Sequence, residues 1–211
     1  MSKINMMQGD CMEYMASLPD NAYELAIVDP PYGIGVESMT MFDGAKIQKR
    51  HKEYIDIAPE KEYFDELFRV SKNQVIWGGN YFSLPPTRCL ISWDKIQEFS
   101  GADFEIAWTS FYSPSKAFRM CRAMAYGKGT IHPTQKPVAL YKWLLSKYAN
   151  PGDKILDTHG GSGSICIACH DLGFDLDWVE LDVDYYKAAV DRFNLHIAQG
   201  SLFEFEGGEI K

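Results

Sequence analysis

The chain lacks what would tie it to a membrane or to an oxidising compartment. No apolar run in its 211 residues approaches the roughly 18 needed to span a bilayer. The opening Met1-Ser2-Lys3-Ile4-Asn5 has none of the apolar stretch of a signal peptide. Five cysteines, an odd number at irregular spacing, do not make a disulfide framework and are expected as the reduced thiols of a cytoplasm. Cys166 and Cys169 form one C-x-x-C with no second pair, and His170 is too near to complete a zinc site. Both are expected as small core residues of a helix, and no metal is expected. Repeats and low-complexity segments are missing too. Net positive charge is also lacking: the sum is −8, which by itself argues against a nucleic-acid partner. Distribution matters more than the sum. Cations gather at Lys46, Lys49, Arg50 and Lys52, and again at Lys116, Arg119, Arg122 and Lys128, while acids crowd the last part of the chain from Asp171 to Glu209. One face can therefore be basic while the rest repels a polyanion. A solvated loop is the plainer account of the first cluster.

What is there begins with Asp29-Pro30-Pro31-Tyr32, which closes the apolar run Leu25-Ala26-Ile27-Val28 and precedes Gly33-Ile34-Gly35. Proline fixes φ and carries no N–H, and a residue before proline is driven to extended geometry. Asp29 and Pro30 are thus expected to present carboxylate and carbonyl with no neighbouring donor competing for them. An exocyclic amine has two N–H bonds, and those two acceptors can take one each. Tyr32 adds a ring face on which a flat base can stack.

Length sets a single domain over 1–211. Strands are expected at 4–8, 25–28, 74–77, 89–93, 104–108, 154–157 and 176–181. Helices are expected at 11–18, 60–70, 138–148, 165–172 and 184–199, with a basic irregular stretch over 117–129. The alternation means an α/β fold with a parallel, doubly wound sheet and ligands at the carboxyl ends of its strands. Asp157 runs into Gly160-Gly161-Ser162-Gly163, and Glu180 ends the following strand, in a position suited to ribose hydroxyls. A dinucleotide loop wants a third glycine where Cys166 stands, so NAD is disfavoured. A loop edged by Asp157 suits an ammonium group instead, which matches S-adenosylmethionine; Lys136 and Thr134 are then placed to hold its carboxylate.

Taken together, these residues resemble the beta class of DNA amino-methyltransferases, in which the catalytic motif comes first, a target-recognition region follows and the cofactor motifs come last. Asp29–Tyr32 matches the D-P-P-Y motif, and Gly9-Asp10 resembles an acidic position near the cofactor adenine. The segment at 132–137, His-Pro-Thr-Gln-Lys-Pro, matches H-P-T-x-K-P along the methionine part of the cofactor. Residues 157–163 resemble the D-P-F-x-G-S-G loop, and Glu180 the ribose-binding acid. Trp77-Gly78-Gly79-Asn80-Tyr81-Phe82 resembles a segment of some phage and bacterial members. One departure stands out: Thr158-His159 replaces the proline and the aromatic, with His159 available as a substitute flat ring.

The resemblance implies a circularly permuted, Rossmann-like S-adenosylmethionine-dependent methyltransferase sheet with a short target-recognition insertion, drawn from 36–59 and 95–129. It implies catalysis by Asp29, Pro30, Pro31 and Tyr32. Cofactor contacts fall to Asp10, Asp29, His132, Thr134, Lys136, Asp157, His159, Gly160, Gly161, Gly163 and Glu180. Contacts to double-stranded DNA fall to Lys46, Lys49, Arg50, Lys52, Lys116, Arg119 and Arg122. The expected reaction is methylation of adenine N6 in a flipped-out base, in a bacterial or phage-infected cytoplasm and in a restriction-modification setting. A short recognition region is compatible with a homodimer. Other readings stay open: cytosine N4, the same chemistry on RNA or a protein amide, a catalytically decayed DNA-binding module, or another nucleotide-dependent enzyme.

Overall fold

The apolar run that leads into Asp29 becomes a central strand. The structure, a computed structural model, describes residues 2–35, 56–96, 102–121, 124–125, 130–132 and 134–206. Its core is an eight-stranded sheet. In spatial order the strands are β1 (Ile4–Gln8), β8 (Asp175–Glu180), β7 (Lys154–Asp157), β2 (Tyr23–Val28), β3 (Ser71–Trp77), β5 (Phe104–Thr109), β4 (Leu90–Asp94) and β6 (Lys116–Arg119). Side chains of β2 alternate between two cores, because successive residues of a strand point to opposite faces. Leu25 and Ile27 join Val75, Trp77 and Ile155 against helices α3 (Val138–Tyr148), α4 (Ser164–Leu172) and α5 (Val183–Glu206). Ala26 and Val28 join Ile76 and Leu156 against α1 (Cys11–Ala16) and α2 (Lys61–Val70). Burial on both faces is why these strands read as continuous apolar runs rather than alternating ones. In α2 the buried Tyr63, Phe64, Leu67 and Val70 share one helical face.

The α/β doubly wound architecture is as expected, with two corrections. The sheet is not all parallel: β5 runs against both β3 and β4, while the other neighbours pair parallel. The connection at 95–103 is too short for the dozen or more residues that a parallel crossover needs, so β4 and β5 pair as antiparallel neighbours. The basic stretch after 116 is not wholly irregular either. Lys116–Arg119 forms edge strand β6, in which Phe118 packs on Trp143 while the other side chains stay exposed. Charges on an edge strand look like loop composition, although they also discourage edge-to-edge pairing. Helix α5 continues to Glu206, past the expected end at 199. Among the described residues no helix is long and apolar enough to cross a membrane.

One buried acid ties β1, β8, β7 and β2 together. Asp177 of β8 accepts from Tyr23 Oη at 2.6 Å, Tyr14 Oη at 2.8 Å and Asn5 Nδ2 at 2.5 Å, and pairs with Lys154 Nζ at 2.6 Å. Burial pushes its carboxyl up, but these four partners outweigh burial and bring it down to about 2. The folded carboxyl therefore titrates below the unfolded one, and its contribution is complete above the ordinary aspartate range. Stability should fall as pH drops from about 4 towards 2. Asp177→Ala, which strands four polar partners, should cost about 2–3 kcal/mol in urea unfolding at pH 7 and remove most of that acid dependence.

Candidate active site

The carboxyl ends of β1, β8, β7 and β2 are neighbours, and each delivers an acid: Asp10, Glu180, Asp157 and Asp29 in that order. Between β7 and β2 the connections diverge. The chain leaves β7 through α4 to β8 on one side, and leaves β2 through α2 to β3 on the other. Such a switch point opens a crevice at the strand ends. Asp157 and Asp29 are its two lips.

On the β2 side, both oxygens of Asp29 are engaged. Tyr32 Oη donates to Oδ1 at 2.6 Å and Lys136 Nζ pairs with Oδ2 at 2.5 Å. The Lys136 ammonium, 1% exposed, also lies 3.3 Å from Glu105 Oε2 and donates to Tyr32 Oη at 3.3 Å. Glu105 Oε1 in turn pairs with Lys95 Nζ at 2.8 Å. Burial pushes the Asp29 carboxyl up; Lys136 pulls against that, and the charge of Glu105 adds to it. Burial alone would lower Lys136, but Asp29 and Glu105 together raise it, so it stays charged. Lys136, expected along the methionine part of a cofactor, has its ammonium bonded to Asp29 of the D-P-P-Y motif.

The Tyr32 ring stacks on Tyr81 with centroids 5.1 Å apart and meets Phe82 edge-on at 6.1 Å. Gly78 makes room for it: a Cβ there would come within 2.2 Å of the ring, and its φ of +69° suits glycine alone. The ring face expected to be free for a base is thus covered by Tyr81 in this state. Pro30 is buried and Pro31 partly so.

On the β7 side, the glycine loop sits tightly on β8. Gly160 N–H donates to the Val179 carbonyl at 2.9 Å, and a Cβ at Gly160 would strike the Trp178 indole at 1.9 Å. Glu180 accepts from Gly161 N–H at 2.7 Å and from Asp182 N–H at 2.8 Å, with its carboxyl raised mainly by burial. Gly163, at φ +67°, caps α4. His132 packs over Gly161, its ring 4.4 Å from Tyr185, and its Nδ1 lies 3.2 Å from the Thr134 hydroxyl. Asp157 accepts from His159 N–H at 3.0 Å; burial, with Asp29 and Glu180 adding, pushes it up to about 8.

At the altered Thr158-His159 position, Thr158 Oγ1 is 2.6 Å from Tyr63 Oη, and the His159 ring stands edge-on to Tyr63 at 5.1 Å. Burial lowers His159 to about 4, so it is a neutral flat ring at physiological pH. Asp10 is exposed and caps α1 through Met12 N–H at 2.6 Å. Among the described residues no group of three or more side chains is arranged to hold a metal.

Of the expected DNA contacts, Lys116 and Arg119 fall among the described residues. Lys46, Lys49, Arg50, Lys52 and Arg122 lie outside the described residues, as does most of the 36–59 insertion. Arg119, paired with Asp94 at 2.9 Å, stands at the carboxyl edge where the crevice opens. Lys116 pairs in register with Ile91, at the opposite end of the short β6 strand.

Sequence reading missed Glu105, Lys95 and the Tyr32–Tyr81 stack. The first had a signal: Glu105 is a lone acid in an aromatic strand, at the position that pairs with the buried Trp93.

Residues 92–191 match the profile of the N6/N4 methyltransferase family, described as DNA methylase. The likeness is to DNA methylases. Over 209 residues the chain is 27% identical to YubD of Escherichia coli (strain K12), a protein named as a methylase, covering 88% of each. It is similar in structure to M1.HpyAVI in its complex with SAM, at a TM-score of 0.59 and 20% identity, covering 90% of this chain and 99% of that one. A second similar structure is PvuII DNA methyltransferase, cytosine-N4-specific, at a TM-score of 0.57 and 16% identity, covering 91% and 86%. The fold is the Rossmann-like methyltransferase fold.

Asp157 gives a stability test. Its folded carboxyl, at about 8, titrates above its unfolded value. Its contribution is therefore complete at low pH and is lost as pH rises through about 8. Asp157→Asn, which retains an acceptor for His159 N–H, should raise Tm at pH 8 by a few degrees. The difference should shrink towards zero near pH 4, as read by calorimetry across that range.

Proposed function

We propose that the protein is a DNA methyltransferase of the permuted beta class, moving a methyl group from S-adenosylmethionine to the N6 amine of a flipped-out adenine. The observation that carries this reading is the placing of the Asp29–Tyr32 turn across one crevice from the glycine loop, with Asp157 and Glu180 on the far lip. The donor set fits the cofactor. Three buried carboxyls at neighbouring strand ends are all pushed up, so a ligand bearing positive charge relieves them, whereas an anionic one would not. Glu180 retains lone pairs for ribose hydroxyls beside its two backbone bonds, and the missing Cβ of Gly160 lets the loop lie flat on Trp178. Asp157 would hold the ammonium end, Glu180 the ribose, and Asp10 and His159 the adenine edge. When bound, S-adenosylmethionine supplies an electrophilic methyl group on cationic sulfur.

A duplex hides its amines, so the target base must leave the stack. Tyr32 then receives the base, which requires the Tyr32–Tyr81 stack to open. Asp29 and the Pro30 carbonyl accept the two amine N–H bonds and localise the nitrogen lone pair for in-line attack. To do so Asp29 must exchange its bond from Tyr32 for one from the base. Lys136 keeps the carboxylate oriented throughout, and Asp29 is the nearest acceptor for the proton that the amine sheds as it gains the methyl group. Arg119 and the cations of 46–52 and 116–122 would contact phosphates.

Adenine is preferred because the motif opens with aspartate, the residue more often found in adenine-N6 members of the family that the motifs resemble. Cytosine N4 is the second reading, favoured by the likeness to PvuII DNA methyltransferase. Incubation with labelled S-adenosylmethionine and unmethylated DNA, followed by nucleoside mass spectrometry, should yield N6-methyladenine. N4-methylcytosine would overturn the choice of base, and no methylated nucleoside would overturn the reaction. Asp29→Ala should lose at least about a thousand-fold in turnover while still binding the cofactor.

A further inference from the structure

Lys136 has three N–H bonds, and the structure uses all of them. They point to Asp29 Oδ2, Glu105 Oε2 and Tyr32 Oη. The ammonium is therefore fixed in direction and has no donor left for a ligand. Glu105 continues the row to Lys95, whose side chain is 11% exposed. Asp29, Lys136, Glu105 and Lys95 thus alternate in sign from the crevice towards the rim. A buried row of this kind is a poor way to stabilise a sheet, because apolar residues of similar volume do as well without the desolvation cost. Its position suggests another use. The row ends on the carboxylate whose ionisation the reaction needs.

We propose that Glu105 is a positioning residue for the catalytic turn, acting through the Lys136 ammonium that it holds against Asp29. This rests on the methyl-transfer reading above and adds to it a residue that touches neither base nor cofactor. Glu105 fixes where the ammonium sits, and the ammonium fixes the rotamer and charge of Asp29. The groups that face Asp29 are Lys136, Tyr32 from its own turn, Glu105 from β5, Asp157 from β7, Tyr63 from α2 and Tyr141 from α3. Among them Lys136 and the Tyr32 hydroxyl favour the ionised carboxylate, while Glu105 and Asp157 oppose it. Lys136 and Glu105, neighbours in the row, therefore act on Asp29 with opposite sign.

That opposition gives the test. Asp29 must be ionised to accept the amine, so kcat/KM rises with pH through its titration in the free enzyme. Glu105→Gln removes a like charge and should move this acid limb to lower pH by about one pH unit, together with a fall in kcat as the ammonium loses its second anchor. Lys136→Met removes the opposite charge and should move the limb to higher pH by about as much or more. Glu105→Asp should restore the wild-type limb in part. An acid limb that stays put in Glu105→Gln, whatever happens to Tm, would reduce Glu105 to a structural residue and overturn the proposal. Should Lys136→Met fail to fold, Glu105→Gln decides the question by itself. If the wild-type protein transfers no methyl group, the reaction assignment falls and carbon-13 NMR of aspartate-labelled protein takes over. A lower titration point for Asp29 in Glu105→Gln then supports the positioning role, and an unchanged one contradicts it.

Discussion

Like charge packed at neighbouring strand ends is the constraint on which this structure turns. Parallel strands must finish along one edge, and here four adjacent ends each carry an acid. Two of them, Asp29 and Asp157, face each other across the switch point and are largely withdrawn from water. Mutual repulsion and desolvation both favour their neutral forms. The fold answers with a buried cation, Lys136, which bonds directly to Asp29 on one lip and acts on Asp157 only through space. Among the described residues Asp29 has a cation bonded to it, while the bond to Asp157 comes from a backbone N–H. That asymmetry separates the two acids into different roles. A carboxyl with a cation bonded to it suits gripping an amine, and a carboxyl without one suits receiving a cation.

The segment that brings Lys136 in also joins the two halves of the crevice. His132 lies over Gly161 on the β7 side, and four residues later Lys136 reaches the turn after β2. Pro137 then starts α3, so the segment is short and held at its far end. A shift of the glycine loop would be felt at His132 and, through the short segment that follows, at Asp29. Arg192 braces the same loop from α5, donating to the Ser162 carbonyl at 2.8 Å. The two lips are therefore built as one unit, although they come from opposite ends of the chain.

Much of this was legible in the sequence because strands buried on both faces announce themselves as apolar runs, and because proline and glycine declare local geometry. The Asp29–Tyr32 turn, the glycine loop and Glu180 could be placed on strand ends from residue order alone. The direction of β5 could not, since an aromatic strand reads the same either way and only the short 95–103 connection hinted at reversal. Strand β6 was hidden because its charges face solvent and only Phe118 packs inward. The destination of Lys136 was hidden for a different reason. A lysine beside cofactor motifs looks like a ligand for a carboxylate, and only the packing of β5 against β3 brings Glu105 close enough to claim it. Cys166 and Cys169 behave as the composition suggested: both are buried in α4, and burial raises both thiols.

In the proposed function, cofactor binding depends on the electrostatic deficit at Asp157. Calorimetry of S-adenosylmethionine binding at pH 7, in two buffers of different ionisation enthalpy, tests it most directly. Asp157 is mostly protonated in the free protein at that pH and must ionise to meet a cation, so binding should release roughly one proton. The heat should then differ between buffers, and the difference should vanish in Asp157→Asn. Equal heats in both buffers for the wild-type protein, or no binding at all, would contradict the claim that these strand ends form a receptor for a cationic cofactor.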